Sequence, residues 1–358
     1  MNQHAEVPIP PELSRRYRGS VNGRDWLASI PRLISRCLDQ WRLELDLTAG
    51  TLPWTGHGAI VVPVCRGRDA DKKGGGSEAA ALKIAYPHGE ALVERHALTL
   101  WAGHGAVRLL AADAGALLLE RLDAARSLQD APLDTAVPAW GAVMRRLSLV
   151  PDDKPEWRAF DHVAARAEQW SDELPETWEQ LARPFPRWLL EAALEVCQTR
   201  GAVGRRSAKD VLVHTDLHYL NILARPDSAD GPEPAGVEDF AAIDPQPMIG
   251  EAEFAVAPLL WNRLRELDRS GPQRALLERC REFSAAAGLD AETARQWALA
   301  REVDNALRYA SRRHHDGDLA RSLWVASTLA GRTLPGLPAP QELPEPGMAG
   351  AERVADQR

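Results

Sequence analysis

Along 30–45 the apolar positions return every third or fourth residue: Ile30, Leu33, Ile34, Cys37, Leu38 and Trp41. That spacing predicts an amphipathic helix. The period then changes. Residues 59–65 and 79–86 are short apolar runs bounded by turn residues, and they predict two strands. Between them, 66–77 carries Lys72-Lys73-Gly74-Gly75-Gly76, the composition of a flexible hairpin connection. A helix is predicted over 89–102 and a short strand near 107–110. An apolar run at 116–119 then leads into Glu120-Arg121-Leu122-Asp123.

Beyond this point helical spacing dominates, with helices predicted at 134–149, 157–172, 174–182, 186–200, 252–268, 272–287, 290–313 and 318–331. One stretch breaks the trend: 211–224 and 236–245 read as two short strands joined by polar turns. Tryptophans such as Trp140, Trp157, Trp170, Trp178 and Trp188 sit at helical spacing and read as core. A strand-rich first third followed by a helical remainder predicts an α+β protein of two lobes. Residues 1–12 read as a loose arm, and everything from Leu334 onward as a tail rich in Pro, Gly and charge, flexible or draped over the fold.

With 358 residues, 45% hydrophobic and 26% charged, the chain has the composition of a globular protein and not of a disordered or fibrous one. Its net charge of -8 argues against nucleic acid as a partner. That charge suits a cationic small molecule, although it is also an ordinary solubility charge. No apolar run is long enough to span a membrane, and the N-terminus lacks the apolar core of a signal peptide. Cys37, Cys65, Cys197 and Cys280 lie far apart with no CxxC pair, which fits a reduced cytoplasm better than a disulfide framework or a zinc knuckle. Only five lysines occur, so Lys83, flanked by Leu82 and Ile84, stands out.

The strongest chemical signal is His214-x-Asp216-x-x-x-x-Asn221, followed by Ile243-Asp244-Pro245. Phosphoryl transfer needs a carboxylate to orient and deprotonate a hydroxyl, oxygen ligands for Mg²⁺, and a cation on the phosphates. Asp216 fits the base, Asn221 and Asp244 the metal ligands, and Lys83 the cation. Glu94, in the following helix, could anchor Lys83, with Glu90 as its competitor; Asp239 competes with Asp244 for the metal. His214 reads as a loop-holding residue. His218 reads equally as a donor near the site or as packing. A zinc site on His214, Asp216 and His218 lacks further soft ligands. Thr55-Gly56-His57-Gly58 is the candidate phosphate turn, and the His314, His315, Asp316, Asp318 group reads as a polar helix end.

These residues resemble the aminoglycoside phosphotransferase family, which shares the protein-kinase fold, and most closely its streptomycin 6-phosphotransferase and hydroxyurea phosphotransferase branch. The likeness covers most of the chain. It runs from Pro31 and Trp41 through Leu82-Lys83, Glu94, Trp101 to Leu109 and Gly115 to Arg121, and on through the 214–223 loop, Ile243-Asp244-Pro245-x-Pro247-x-x-Gly250 and Ala257 to Asn262. The resemblance implies a bilobal fold: a nucleotide-binding lobe at 1–119, a hinge at 120–123, a catalytic and substrate lobe at 124–333, and a tail at 334–358. It also implies that Glu120, Arg121 and Leu122 take the adenine edge through backbone groups. The implied cofactors are ATP, with GTP not excluded, and Mg²⁺.

Departures from the branch cluster near the acceptor side. Thr215 and Leu220 stand where glycines are usual, Gln246 replaces a lysine, and Glu251 and Ala255 replace aspartates. The implied activity is antibiotic resistance by phosphorylation of a cationic antibiotic such as streptomycin. Carboxylates from Glu251, Asp161 and Asp304 are then expected in its pocket. Two alternatives stand beside it: a kinase for another natural product or metabolite (a nucleoside or peptide antibiotic, or hydroxyurea), and a non-catalytic pseudokinase-like binding protein. No nucleic acid or membrane partner is expected, and the protein is expected as a monomer or weak homodimer.

Overall fold

The computed structural model describes residues 7–48, 50–56, 58–67, 78–87, 89–201, 209–226, 239–344 and 346. The expected hairpin connection at 68–77 lies outside them, as do His57, 236–238 of the second predicted strand and residues 1–6. Helices α1 (Pro11–Tyr17) and α2 (Val21–Trp41) come first, with the Ser20 hydroxyl capping α2 by accepting the Gly23 amide at 3.0 Å. α2 starts well before the predicted position because Trp26 extends the buried stripe of Ile30, Ile34, Cys37 and Leu38 across Pro31. It stops at Arg42, whose φ of 53° breaks the helix, and Leu43 crosses into a strand.

Strands β1 (Leu43–Leu45), β2 (Trp54–Thr55), β3 (Ala59–Arg66) and β4 (Glu78–Ala85) precede α3 (Gly89–Trp101), β5 (Leu109–Asp113) and β6 (Ala116–Glu120). They make one antiparallel sheet in the order β1-β3-β4-β6-β5, with β2 on β3. Strand alternation decides what faces what. Ile60, Val62, Val64, Leu82, Ile84 and Leu118 share a core with Ile30, Ile34 and Leu38 of α2. Lys83, one residue from Leu82 and paired in register with Leu117, therefore projects from the opposite face.

The second lobe contains β7 (Asp123–Ser127), α4 (Leu133–Leu147), α5 (Val163–Gln180), α6 (Arg187–Arg200), β8 (Val211–His214), β9 (Ile222–Ala224), β10 (Phe240–Ala242) and β11 (Pro247–Gly250). It ends with α7 (Ala257–Trp261), α8 (Pro272–Ala287), α9 (Ala291–Ala310) and α10 (Asp316–Leu329). β10, β9 and β7 form one small sheet and β11 and β8 another. Two predicted helices, 157–172 and 174–182, are replaced by one. A short 3-10 turn covers Pro155–Ala159, and α5 continues through Pro175 because Ala167, Trp170, Leu174 and Trp178 form an unbroken buried stripe. The predicted helix 252–268 is instead two 3-10 turns flanking α7, broken where Arg263 turns left-handed at φ 51°.

Edge-to-face rings fill this core: Trp140 and Tyr219 lie 5.5 and 5.9 Å from Phe283. α4 meets α8 at Gly141, where a Cβ would come 2.4 Å from the Ala286 carbonyl oxygen. The expected loose ends are partly packed. Val7 and Leu13 are buried in the first lobe. Residues 334–344 are draped and not disordered: they lie against the second lobe, with Leu343 only 1% exposed, while 345 and 347–358 of the expected tail lie outside the described residues. Arg265 donates to the Leu343 carbonyl at 3.1 Å, Gln341 to that of Leu267 at 2.8 Å, and Arg321 to that of Pro344. One buried leucine and three carbonyl anchors outweigh the polar composition of that stretch. We expect Leu343→Ala to lower the unfolding free energy by about 2–4 kcal/mol in urea titration, whereas a flexible tail would give no change.

Candidate active site

His214 closes β8, and the chain then turns sharply through Asp216 into the 3-10 turn Tyr219–Asn221. The His214 ring is fully buried. Its Nδ1 accepts the Asp216 amide at 3.2 Å, so Nε2 carries the proton and donates to the Ile243 carbonyl at 3.0 Å. Burial lowers its pKa and keeps it neutral. His214 thus staples the loop of Asp216 to the strand that delivers Asp244. Asn221 strengthens the same loop, its Nδ2 donating to the Asp216 carbonyl at 2.9 Å and to Oδ2 at 3.4 Å. Thr215 donates its hydroxyl to the Gln246 carbonyl at 2.8 Å and ties the loop to β11.

Opposite this loop, Lys83 reaches across from the first lobe. Its Nζ lies 2.6 and 2.7 Å from the two Glu94 carboxylate oxygens and 2.6 Å from Oδ1 of Asp244. Burial alone would lower the Lys83 pKa, but Glu94 and then Asp244 raise it, so the ammonium stays charged. Burial likewise works against the charge of Asp244, and Lys83 offsets it and leaves the pKa lowered. Glu94 goes the other way: burial outweighs its share of Lys83 and raises its pKa. Asp244 occupies left-handed backbone, φ 53°, a conformation an aspartate tolerates better than most residues. Glu94 makes the contact with Lys83, and the competing Glu90 side chain lies outside the described residues. Asp239, the competing metal candidate, is exposed at the start of β10 and does not line the cleft.

Both groups open onto a single cleft of about 1020 Å³. Gly58 of the candidate phosphate turn borders it, and a Cβ on Gly56 would lie 3.8 Å from Oδ2 of Asp244. Asn221 spends its Nδ2 on Asp216, and Asp244 spends Oδ1 on Lys83. One amide oxygen and one carboxylate oxygen are left, a donor set that fits Mg²⁺, which takes its remaining ligands from phosphates and water. Among the described residues no cluster of three His, Cys, Asp or Glu could hold a metal. His315 instead pairs with Asp318 at 2.9 Å, as a helix end does.

The far wall of the cleft is α9. Arg301, Asp304, Asn305 and Arg308 all line it, at the i, i+3, i+4, i+7 spacing of one helix face. Arg301 NH2 stands 3.7 Å from Oδ1 of Asp216, and His218 Nε2 lies 3.5 Å from Oδ2. Asp161 and Arg166 complete the wall, and Arg308 pairs with Asp304. Of the three carboxylates expected there, Asp161 and Asp304 are present. Glu251 is not. It accepts from Arg200 at 3.1 Å and from the Trp297 indole at 2.7 Å, a strut between α6 and α9. The expectation missed Arg166, Arg301, Asn305 and Arg308, although the polar stripe on α9 is a signal that names three of them.

Glu120, Arg121 and Leu122 join the two lobes, and their side chains are engaged away from the cleft. Glu120 Oε1 pairs with Arg225 at 3.1 Å and accepts the Arg108 amide at 2.9 Å. Arg121 pairs with Asp46 at 2.5 Å, and Leu122 is buried.

Residues 45–312 match the model of the aminoglycoside/hydroxyurea antibiotic resistance kinase family. The chain belongs to this family. It is 32% identical over 314 residues to the streptomycin 6-kinase of Streptomyces griseus, covering 86% of this chain and 92% of that one. It is 35% identical over 341 residues to the hydroxyurea phosphotransferase of Kitasatospora aureofaciens, covering 92% and 87%. Among solved structures, the GDP complex of an aminoglycoside 2'-phosphotransferase-IIIa mutant superposes with a TM-score of 0.52 at 13% identity, over 84% of this chain and 97% of that one. The fold is that of the protein-kinase-like phosphotransferases, and this antibiotic resistance kinase is an enzyme with the lobes of that fold.

In this family member, α9 also carries Glu302, 1% exposed, with Oε1 accepting from Asn305 at 3.1 Å. Burial pushes its carboxyl up to about 7. An acid raised this way holds its proton more tightly folded than unfolded. Stability therefore falls as pH rises from the ordinary carboxylate range through about 7, and the loss is complete above it. We expect Glu302→Gln to match the parent in urea titrations near pH 5. At pH 8 it should be more stable by on the order of 1–3 kcal/mol.

Proposed function

We propose that the protein is a Mg²⁺- and ATP-dependent kinase that transfers the γ-phosphoryl group to a hydroxyl of an aminoglycoside antibiotic of the streptomycin class. The observation that carries this reading is the convergence of Lys83, Asp244 and Asp216 on one cleft. The acceptor hydroxyl would donate to Asp216, which takes its proton as the new bond forms. Lys83, held by Glu94, would grip the phosphates, and the backbone of 120–122 would receive the base of ATP or GTP. Mg²⁺, held by Asn221 and Asp244, would neutralise charge on the phosphates. His214 and His218 support the loop. Asp161 and Asp304 would meet the cationic groups of the acceptor. The four cysteines are free, in keeping with a reduced cytoplasm, and the protein would act as a monomer or weak homodimer. No described helix is long and apolar enough to cross a membrane.

A second reading takes a small uncharged acceptor such as hydroxyurea. The balance of Arg166, Arg301 and Arg308 against Asp161 and Asp304 favours it, because a polycation prefers a net acidic wall. A non-catalytic binding role has no use for Asp216. Incubation with ATP, Mg²⁺ and a panel of aminoglycosides, hydroxyurea and nucleoside and peptide antibiotics, read as a mass gain of one phosphoryl group, decides between them. Modification of no compound, with tight binding of one, would point to the binding role.

Asp216→Asn is expected to lower kcat by about three orders of magnitude or more with ATP affinity nearly unchanged, since a base acts in the transition state. Asp244→Ala should weaken Mg²⁺-ATP binding as well, measured by calorimetry. If the acceptor is cationic, Asp161→Asn should raise its KM about tenfold or more. Glu251→Gln should lower Tm and leave the acceptor KM unaltered.

A further inference from the structure

We infer that Arg301 is a catalytic residue: α9 supplies its guanidinium to the transferring phosphoryl group beside Asp216. The inference rests on the kinase reading above and adds a group to it. Arg301 lies outside every motif that identifies the fold, yet its NH2 comes within 3.7 Å of Oδ1 of Asp216 and it lines the cleft. The acceptor hydroxyl must bond to that same carboxylate. The phosphorus it attacks, and the oxygens on that phosphorus, therefore come within reach of this guanidinium.

Its pose is set in advance. Arg301 NH1 donates to the Thr215 carbonyl, one residue from the base, and its guanidinium lies 5.4 Å over the Phe254 ring, with the side chain 17% exposed. A group held this firmly needs little reorganisation when charge develops. The charge ledger of the cleft gives it a purpose. The ammonium of Lys83 is shared between two carboxylates, Glu94 and Asp244, so those three groups together carry excess negative charge before any phosphate arrives. Arg308 is occupied by Asp304. Among the described residues Arg301 is a cation placed beside the carboxylate of Asp216, where it would face the phosphoryl oxygens.

The transfer breaks the bond between the γ-phosphorus and the bridging oxygen, whose electron pair leaves on ADP. The acceptor oxygen makes the new phosphorus–oxygen bond and its proton passes to Asp216. Throughout, Arg301 faces the oxygens of the moving group and forms no bond to it.

The test compares wild type, Arg301→Lys and Arg301→Ala in three measurements. Turnover is followed both with an acceptor and as slow ATP hydrolysis to water. Calorimetry compares binding of ADP and Mg²⁺ with and without aluminium fluoride, which mimics the transferring group. Thermal melts report folding. Arg301→Ala should lose kcat on the order of 10²–10³-fold with the KM for ATP within threefold. Its affinity for the aluminium fluoride complex should fall by a similar factor while that for ADP alone holds. Arg301→Lys should recover only part, and millimolar guanidinium should restore part of the Arg301→Ala rate. The inference is overturned if aluminium fluoride binding is unaltered, if only the acceptor KM rises, or if the loss follows a lowered Tm and disappears at lower temperature. Should wild type phosphorylate no acceptor while its aluminium fluoride complex still depends on Arg301, the proposed function fails and this inference stands.

Discussion

One buried ammonium connects the two halves of the molecule. Lys83 leaves the central strand of the first sheet and contacts Glu94 on α3 and Asp244 from the second lobe within 2.7 Å. An isolated charge at 6% exposure would be neutralised by the cost of losing water. Two carboxylates make its burial tolerable, and neither lobe supplies both. Sheet, α3 and the Asp244 turn are therefore coupled, because removing any member strands the others without compensation. The same coupling holds Oδ1 of Asp244 while the residue lines the cleft.

Around this junction the loop of His214 to Asn221 is rigid in a way its sequence of polar turns does not suggest. His214 spends both ring nitrogens on backbone groups, Thr215 ties to the Gln246 carbonyl, and Asn221 ties back to the Asp216 carbonyl. Each bond satisfies a group that would otherwise be buried without a partner. The result is a carboxylate, Asp216, whose backbone cannot drift relative to Asp244. Among the described residues its side chain has Arg301, His218 and Asn221 as polar neighbours.

The far wall of the cleft follows from helix geometry. α9 is pinned on one side by the Glu251, Arg200 and Trp297 contacts and by packing against α10, and it turns the Arg301 to Arg308 stripe to the cleft. Glu251 is a strut in this arrangement and lies outside the lining of the cleft. Arg166, Asp161 and the stripe on α9 are the side chains that line the cleft on this side.

Much of this was decided by local pattern. The two lobes, the strands carrying Lys83 and the spacing of His214, Asp216, Asn221 and Asp244 follow from periodicity and from the few residue types that phosphoryl transfer accepts. The first-lobe alternation even dictated that Lys83 face away from α2. Tertiary structure alone decided the rest. Pro175 lies inside a helix because a buried stripe runs through it, and Leu343 anchors a segment whose composition reads as disordered. Glu251, expected in the pocket, turns toward Arg200 instead, while Arg301, for which there was no expectation, lies 85 positions after Asp216 in the chain and beside it in space. Residue type and spacing determine which chemistry a chain can perform, but the direction a charge faces is set by the partner that desolvates it, and that partner is brought there by the fold.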